Sequence, residues 1–240
     1  GEIPTGEENI VVRAANAMRE LYGVECGAAI HLEKRIPFPG GLGGGSPNAA
    51  VVLIGLARLW GINARTKVLH KIAKQLGADV PFFLYGGTAV GTGRGCEVVP
   101  RPDVEQKYLV IVTPDVHVST RDAFELLGVR NLTKTESNRI LEICRFAAKS
   151  LDFSRLPLRN DFETTVFAIY PEVERAKETL LQLGADSALM CGSGARVFGI
   201  FVNEETRQAA MKALDNEINW RKFAVATISR DEYREALKQV

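Results

Sequence analysis

An α+β fold is the class predicted by this 240-residue sequence. Helical apolar spacing is mixed with short strand-like runs without strict strand–helix–strand alternation, and glycine turns separate the short runs. The 46% hydrophobic and 25% charged residues suit an ordinary globular chain, long enough for one large domain or two small ones. A glycine seam at Gly91 to Gly95 is where two lobes would divide, one over residues 1–91 and one over 92–240.

From Glu8 to Tyr22, Ile10, Val11, Ala14, Met18 and Leu21 recur at helical spacing before Gly23. Ala28 to Leu32 reads as a short strand, and an apolar helix follows from Ala49 to Trp60, with Ser46 as its cap and Pro47 as its first residue. A third helix covers Thr66 to Leu76. Phe82 to Tyr85, Thr88 to Val90 and Glu97 to Val99 read as antiparallel strands between glycine turns, and Tyr108 to Thr113 as a stronger strand. Helices are expected at Thr120 to Leu127 after Ser119, at Glu136 to Lys149 and at Glu172 to Leu183. Strands at Ala188 to Cys191 and Arg196 to Val202, a helix at Glu204 to Leu214 and a strand at Phe223 to Ile228 complete the pattern.

Thirty basic and twenty-nine acidic residues leave a formal charge of +1, which points to neither a nucleic-acid surface nor a membrane anchor. Any anion recognition is therefore local. Cys26, Cys96, Cys144 and Cys191 form no C-x-x-C pair, so reduced thiols of a cytoplasmic protein are expected. No apolar run reaches transmembrane length, and the acidic opening lacks the pattern of a signal peptide.

Five of the six residues from Gly40 to Gly45 are glycine, and an apolar helix follows directly. Backbone without Cβ can bring its N–H groups against an anion, and a helix start adds unpaired N–H groups and a positive dipole end. A nucleotide triphosphate fits that arrangement. A flexible linker is the competing reading, but linkers seldom run into a helix as apolar as Ala49 to Leu56. The spacing matches neither G-x-x-x-x-G-K-[ST] nor G-x-G-x-x-G.

Asp79 is a lone carboxylate in an apolar segment after a helix-ending glycine. A turn-capping role is one reading; its flanks Val80, Phe82 and Phe83 imply partial burial, which points instead to a site. The turn Gly192-Ser193-Gly194 and the pair Thr120 and Phe124, one helical turn apart, are weak signals taken singly. His31, His70 and His117 have no metal-ligand spacing.

Lys34-Arg35-Ile36-Pro37, the loop to Ser46, Leu76-Gly77-Ala78-Asp79-Val80-Pro81, Gly91-Thr92-Gly93-Arg94-Gly95, Pro114 to Thr120 and Gly192-Ser193-Gly194 together resemble the GHMP kinase superfamily. The match runs through the whole chain. Within the superfamily it is to the branch that uses ATP to phosphorylate the 2-hydroxyl of a cytidyl-diphosphate methylerythritol in non-mevalonate isoprenoid synthesis. The resemblance implies a two-lobed α+β fold, ATP with Mg2+, and a small-molecule acceptor between the lobes. It assigns ATP to Pro37, Gly40, Gly41, Leu42, Gly43, Gly44, Gly45 and Ser46, and makes Asp79 the catalytic carboxylate. Thr120, Phe124, Gly192, Ser193 and Gly194 would line the acceptor site, with Phe124 stacked on cytosine. Metal ligands stay unassigned.

The family's opening segment, with a lysine serving phosphoryl transfer and a Gly-Tyr-His holding cytosine, would precede Gly1. The expectation is an ATP-binding lobe shortened at its start, in a fragment, a processed form or a short relative. Two alternatives follow: a nucleotide-binding protein without catalysis, and a GHMP kinase for another acceptor. The Asp79 segment and the Thr120 to Phe124 spacing speak against the second.

Overall fold

Asn9 opens the first helix by accepting the Val11 amide on its side chain at 2.9 Å, the usual way of satisfying an unpaired N–H at a helix start. The computed structural model describes residues 3–34, 42–127, 134–150 and 158–238. Helix α1 (Ile10–Tyr22) turns Val11, Ala14 and Met18 inward, in keeping with the spacing that predicts it. Helix α2 (Ser46–Leu59) exposes no residue before Arg58, and with α3 (Thr66–Leu76) it encloses a first core around Ala14, Met18, Leu53 and Ile72.

A 3₁₀ turn, Val80–Leu84, closes that core where the sequence suggests a strand over Phe82 to Tyr85. Pro81 donates no N–H and fixes φ, so the segment coils and buries Val80 and Pro81. The strand expected at Ala28 to Leu32 is not formed either, since no strand among the described residues pairs with that segment. The hairpin of β1 (Ala89–Thr92) and β2 (Glu97–Pro100) is antiparallel as expected, with Val90 opposite Val99.

A second core is organised by a four-stranded antiparallel sheet in the order β4-β5-β3-β6. Its strands are β3 (Tyr108–Pro114), β4 (Ser187–Met190), β5 (Val197–Phe201) and β6 (Trp220–Ala226). Val110 lies between Gly199 of β5 and Ala224 of β6, which fixes the register. With the sheet go α4 (Thr120–Leu126), α6 (Glu163–Ile169), α7 (Pro171–Gln182) and α8 (Glu204–Ala213), whereas α5 (Lys134–Ser150) packs against the β1–β2 hairpin. Helices α7 and α8 pack on it, burying Val110, Val112, Leu180, Val197, Phe201 and Leu214.

The last helix, α9 (Arg230–Lys238), leaves this unit and docks on the first. The Tyr233 hydroxyl donates to the Phe83 carbonyl at 2.7 Å, Arg58 donates to the Leu237 carbonyl, and Arg230 donates to the carbonyls of Thr88 and Arg101 at 2.7 and 3.0 Å. Neither α6 nor α9 is foreseen in the sequence. The first is short and the second is strongly charged, so docking rather than an apolar stripe defines them.

Candidate active site

Between the two cores lies a cavity of about 610 Å³, a size that suits a nucleotide-scale ligand. Its walls bring together Leu42, Gly43, Gly44, Gly45, Ser46 and Asp79 from the first unit with Thr120, Phe124, Gly192 and Ser193 from the second. Gly194 is buried beneath the turn and does not line the cavity. Pro37, Gly40 and Gly41 lie outside the described residues.

The glycine loop enters α2 with Gly43 at φ +65°, a left-handed conformation in which a Cβ would sit 3.3 Å from the Phe83 ring. Gly45, not Ser46, is the helix cap, and Ser46 is the first helical residue. The difference follows from Pro47, which occupies the second helical position and leaves the start of the helix one residue earlier than expected. A glycine cap has no side chain to satisfy the first amides, so they are offered to the cavity.

Two donors to which the sequence assigns no role converge on the Gly44 carbonyl: the Lys34 ammonium and the Asn48 amide, the latter at 3.3 Å. They hold this acceptor oxygen, which would otherwise repel an anion at the loop. Burial pushes the pKa of Lys34 below its ordinary value. The sequence signal for Lys34 is its place in the Lys34-Arg35-Ile36-Pro37 motif ahead of the glycine run, which gives it no stated role.

Asp79 precedes the 3₁₀ turn, and its side chain caps nothing there. It is exposed to the cavity, which corrects the expectation of partial burial. The apolar flanks Val80 and Pro81 turn inward and leave the carboxylate at the wall. A turn-capping role is thereby removed as its explanation.

On the opposite wall, Ser119 caps α4 by accepting the Asp122 amide at 3.4 Å, which places Thr120 at the helix start. The Thr120 hydroxyl lies 3.0 Å from that of Ser193, joining α4 to the third glycine turn. Phe124, 54% exposed, meets Phe162 edge to face with centroids 4.9 Å apart and planes at 85°. The neighbouring Cys191 thiol is pushed up to about 11 by burial, which leaves it protonated and a poor nucleophile. Among the described residues no group of three or more His, Cys, Asp or Glu side chains could hold a metal, and no helix is long and apolar enough to cross a membrane.

This arrangement has known counterparts. Residues 9–87 match the GHMP kinases N terminal domain and residues 124–219 the GHMP kinases C terminal domain. The chain is 40% identical over 226 residues to a 4-diphosphocytidyl-2-C-methyl-D-erythritol kinase of Syntrophus aciditrophicus (strain SB), covering 94% of this chain and 79% of the relative. It belongs to that kinase family. A relative of the same name from Solibacter usitatus (strain Ellin6076) is 38% identical over 95% of this chain and 72% of its own length. A crystal structure of 4-(cytidine 5'-diphospho)-2C-methyl-D-erythritol kinase superposes with a TM-score of 0.74 at 32% identity, covering 94% of this chain and 80% of that one. A homoserine kinase from Cytophaga hutchinsonii gives the same TM-score at 24% identity, which shows the shared fold alone. The two-lobed GHMP kinase α+β fold and the phosphotransferase class are thus those expected from the sequence.

Proposed function

We propose that this chain transfers the γ-phosphoryl group of ATP to the 2-hydroxyl of 4-diphosphocytidyl-2-C-methyl-D-erythritol, a step of non-mevalonate isoprenoid precursor synthesis. The observation that carries the reading is the exposed carboxylate of Asp79 in one cavity with both the glycine loop and the Thr120, Phe124 and Ser193 wall. We assign the ATP phosphates to the loop from Pro37 to Ser46, whose amides and helix start offer a positive end without a lysine in the loop itself. Lys34 and Asn48 hold the Gly44 carbonyl and so keep the loop shaped for an anion.

Asp79 orients the acceptor hydroxyl and accepts its proton as the phosphoryl group is transferred, a reaction that depends mainly on positioning and charge. Phe124 offers a ring for the cytosine, and Thr120 with Gly192 and Ser193 closes the acceptor side, while Gly194 lies buried behind them. Mg2+ commonly binds through phosphates and waters with few protein donors, and the Ser46 hydroxyl at the start of α2 would fit such a set. When bound, it would neutralise phosphate charge. A division of the chain into two lobes is supported by the two separate cores, with residue 91 inside the β1–β2 hairpin that connects them, and a cytoplasmic setting by the four free cysteines.

The test is ADP release from ATP, Mg2+ and the cytidyl acceptor. Asp79→Asn is expected to lower turnover by roughly 10²- to 10⁴-fold while the circular dichroism and melting curve are kept. Equal rates in wild type and variant would reject catalysis by this chain. Nucleotide-dependent stabilisation without turnover would favour a binding protein.

A further inference from the structure

Asn160 precedes α6 and belongs to no motif singled out in the sequence, yet its side chain makes three bonds at the acceptor wall. Its amide nitrogen donates to the carbonyls of Met190 at 2.8 Å and Gly192 at 2.7 Å, and its amide oxygen accepts the Phe162 N–H at 3.0 Å. Two carbonyls on one side and an N–H on the other admit a single orientation of the amide. Met190 ends β4 and Gly192 belongs to the turn that presents Ser193 to Thr120. Phe162 is the ring against which Phe124 stands edge to face.

We infer that Asn160 is a positioning residue for the acceptor: one amide sets both the glycine turn carrying Ser193 and the ring that backs Phe124. This rests on the reading above, in which those residues receive the cytidyl group. Glu163 secures the same segment, accepting the Met190 N–H at 2.8 Å and pairing with Lys177 at 2.6 Å. The segment is thereby tied to β4 on either side of Phe162. Phe124 is then held edge to face by Phe162 and remains over half exposed, which suits a ring poised for a flat partner. The loop that holds ATP lies on the other core and makes none of these bonds, so the effect is selective for the acceptor.

Asn160→Asp keeps the shape but sets a carboxylate against two carbonyl oxygens. Calorimetric titration of the full chain with CDP and, separately, with ATP and Mg2+ reads both sides of the cavity. The expected result is CDP binding weakened about tenfold or more, as for loss of two hydrogen bonds and the repulsion that replaces them, with ATP affinity kept within about twofold. Unchanged CDP affinity, or equal losses for both ligands, overturns the inference. If Asn160→Asp does not fold, Phe162→Leu decides: a CDP loss of roughly two- to tenfold, restored by Phe162→Tyr, supports it, and wild-type affinity in the leucine variant overturns it. Phe124→Ala separates the two levels. If that variant loses CDP while Asn160→Asp does not, the inference fails and the function stands; if wild type does not bind CDP, or Phe124→Ala binds it normally, both fail.

Discussion

Gly43 shows how a single backbone conformation shapes the glycine-loop side of the cavity. At φ +65°, with a Cβ site 3.3 Å from Phe83 Cζ, it cannot take a side chain without strain and a push on the 3₁₀ turn that follows Asp79. Gly43→Ala is expected to destabilise by about 1 kcal/mol or more and to weaken ATP binding. Gly27→Ala, where nothing lies within 4 Å of the Cβ site and φ is not positive, serves as the control and should leave both melting temperature and ATP affinity alone. A Gly43→Ala variant with wild-type values would show that the loop relaxes freely. At this scale the sequence was legible where chemistry is concentrated in one stretch, as in the glycine loop. Asp79 was identified by its neighbouring motifs, and the partial burial inferred from its flanks did not hold. The parts played by Lys34 and Asn160 were not legible, because each acts on a backbone carbonyl brought near only by folding, thirty residues away in the case of Asn160 and Met190.

The periodic helices and the β1–β2 hairpin were readable as elements because their own residues determine them. The 3₁₀ turn and α9 were not, because each takes its form from a neighbour. Tyr233 of α9 bonds the Phe83 carbonyl at 2.7 Å and lies over Gly86, whose Cβ site is 2.1 Å from the Tyr233 ring at φ +68°. Tyr233→Phe loses one hydrogen bond and is expected to cost about 1 kcal/mol in denaturant titrations, whereas Gly86→Ala adds a clash and should cost about 3 kcal/mol or fail to fold. If the two variants were equally mild, α9 would not be seated against this turn. A second element contact is pH-dependent. Glu97 of β2 receives two bonds from Arg145 of α5, at 2.8 and 2.6 Å, and chiefly these bonds hold its pKa below the ordinary 4.5. A lowered acid pKa means stability that is present above the ordinary glutamate range and is lost as pH falls through the folded value. The melting-temperature gap between wild type and Glu97→Gln should therefore narrow on acidification, and also with added salt, since the pair is partly exposed. A gap independent of pH would mean that the carboxylate charge contributes nothing there.

In the whole molecule, the sheet-centred core and the helical core are separate clusters, and the chain crosses between them more than once. The mixed helix and strand pattern made the fold class readable, and the glycine seam at Gly91 to Gly95, read as a lobe boundary, lies in the β1–β2 hairpin. What pattern alone did not convey is that the chain, having completed the second unit at β6, returns to fasten the first. Arg230 reaches the carbonyls of Thr88 and Arg101, Tyr233 reaches Phe83, and the Leu237 carbonyl receives Arg58 at the end of α2. Each of these contacts ends on the first unit or the hairpin beside it, and none on the strands of the four-stranded sheet. Stability is therefore expected to respond unevenly to loss of α9, in the manner of local units that open with different free energies. A chain ending at Ser229 should exchange its α2, α3 and Phe82 to Gly86 amides faster than the full chain, while amides of β3 and β5 keep their protection. Because Phe83 also abuts Gly43, the same truncation should weaken ATP binding more than CDP binding. Native-state hydrogen exchange read by mass spectrometry, with parallel titrations of the two ligands, separates the outcomes. Uniform acceleration across both cores would mean that α9 supports the molecule as one cooperative unit, and unchanged exchange in α2 and α3 would mean that it supports neither.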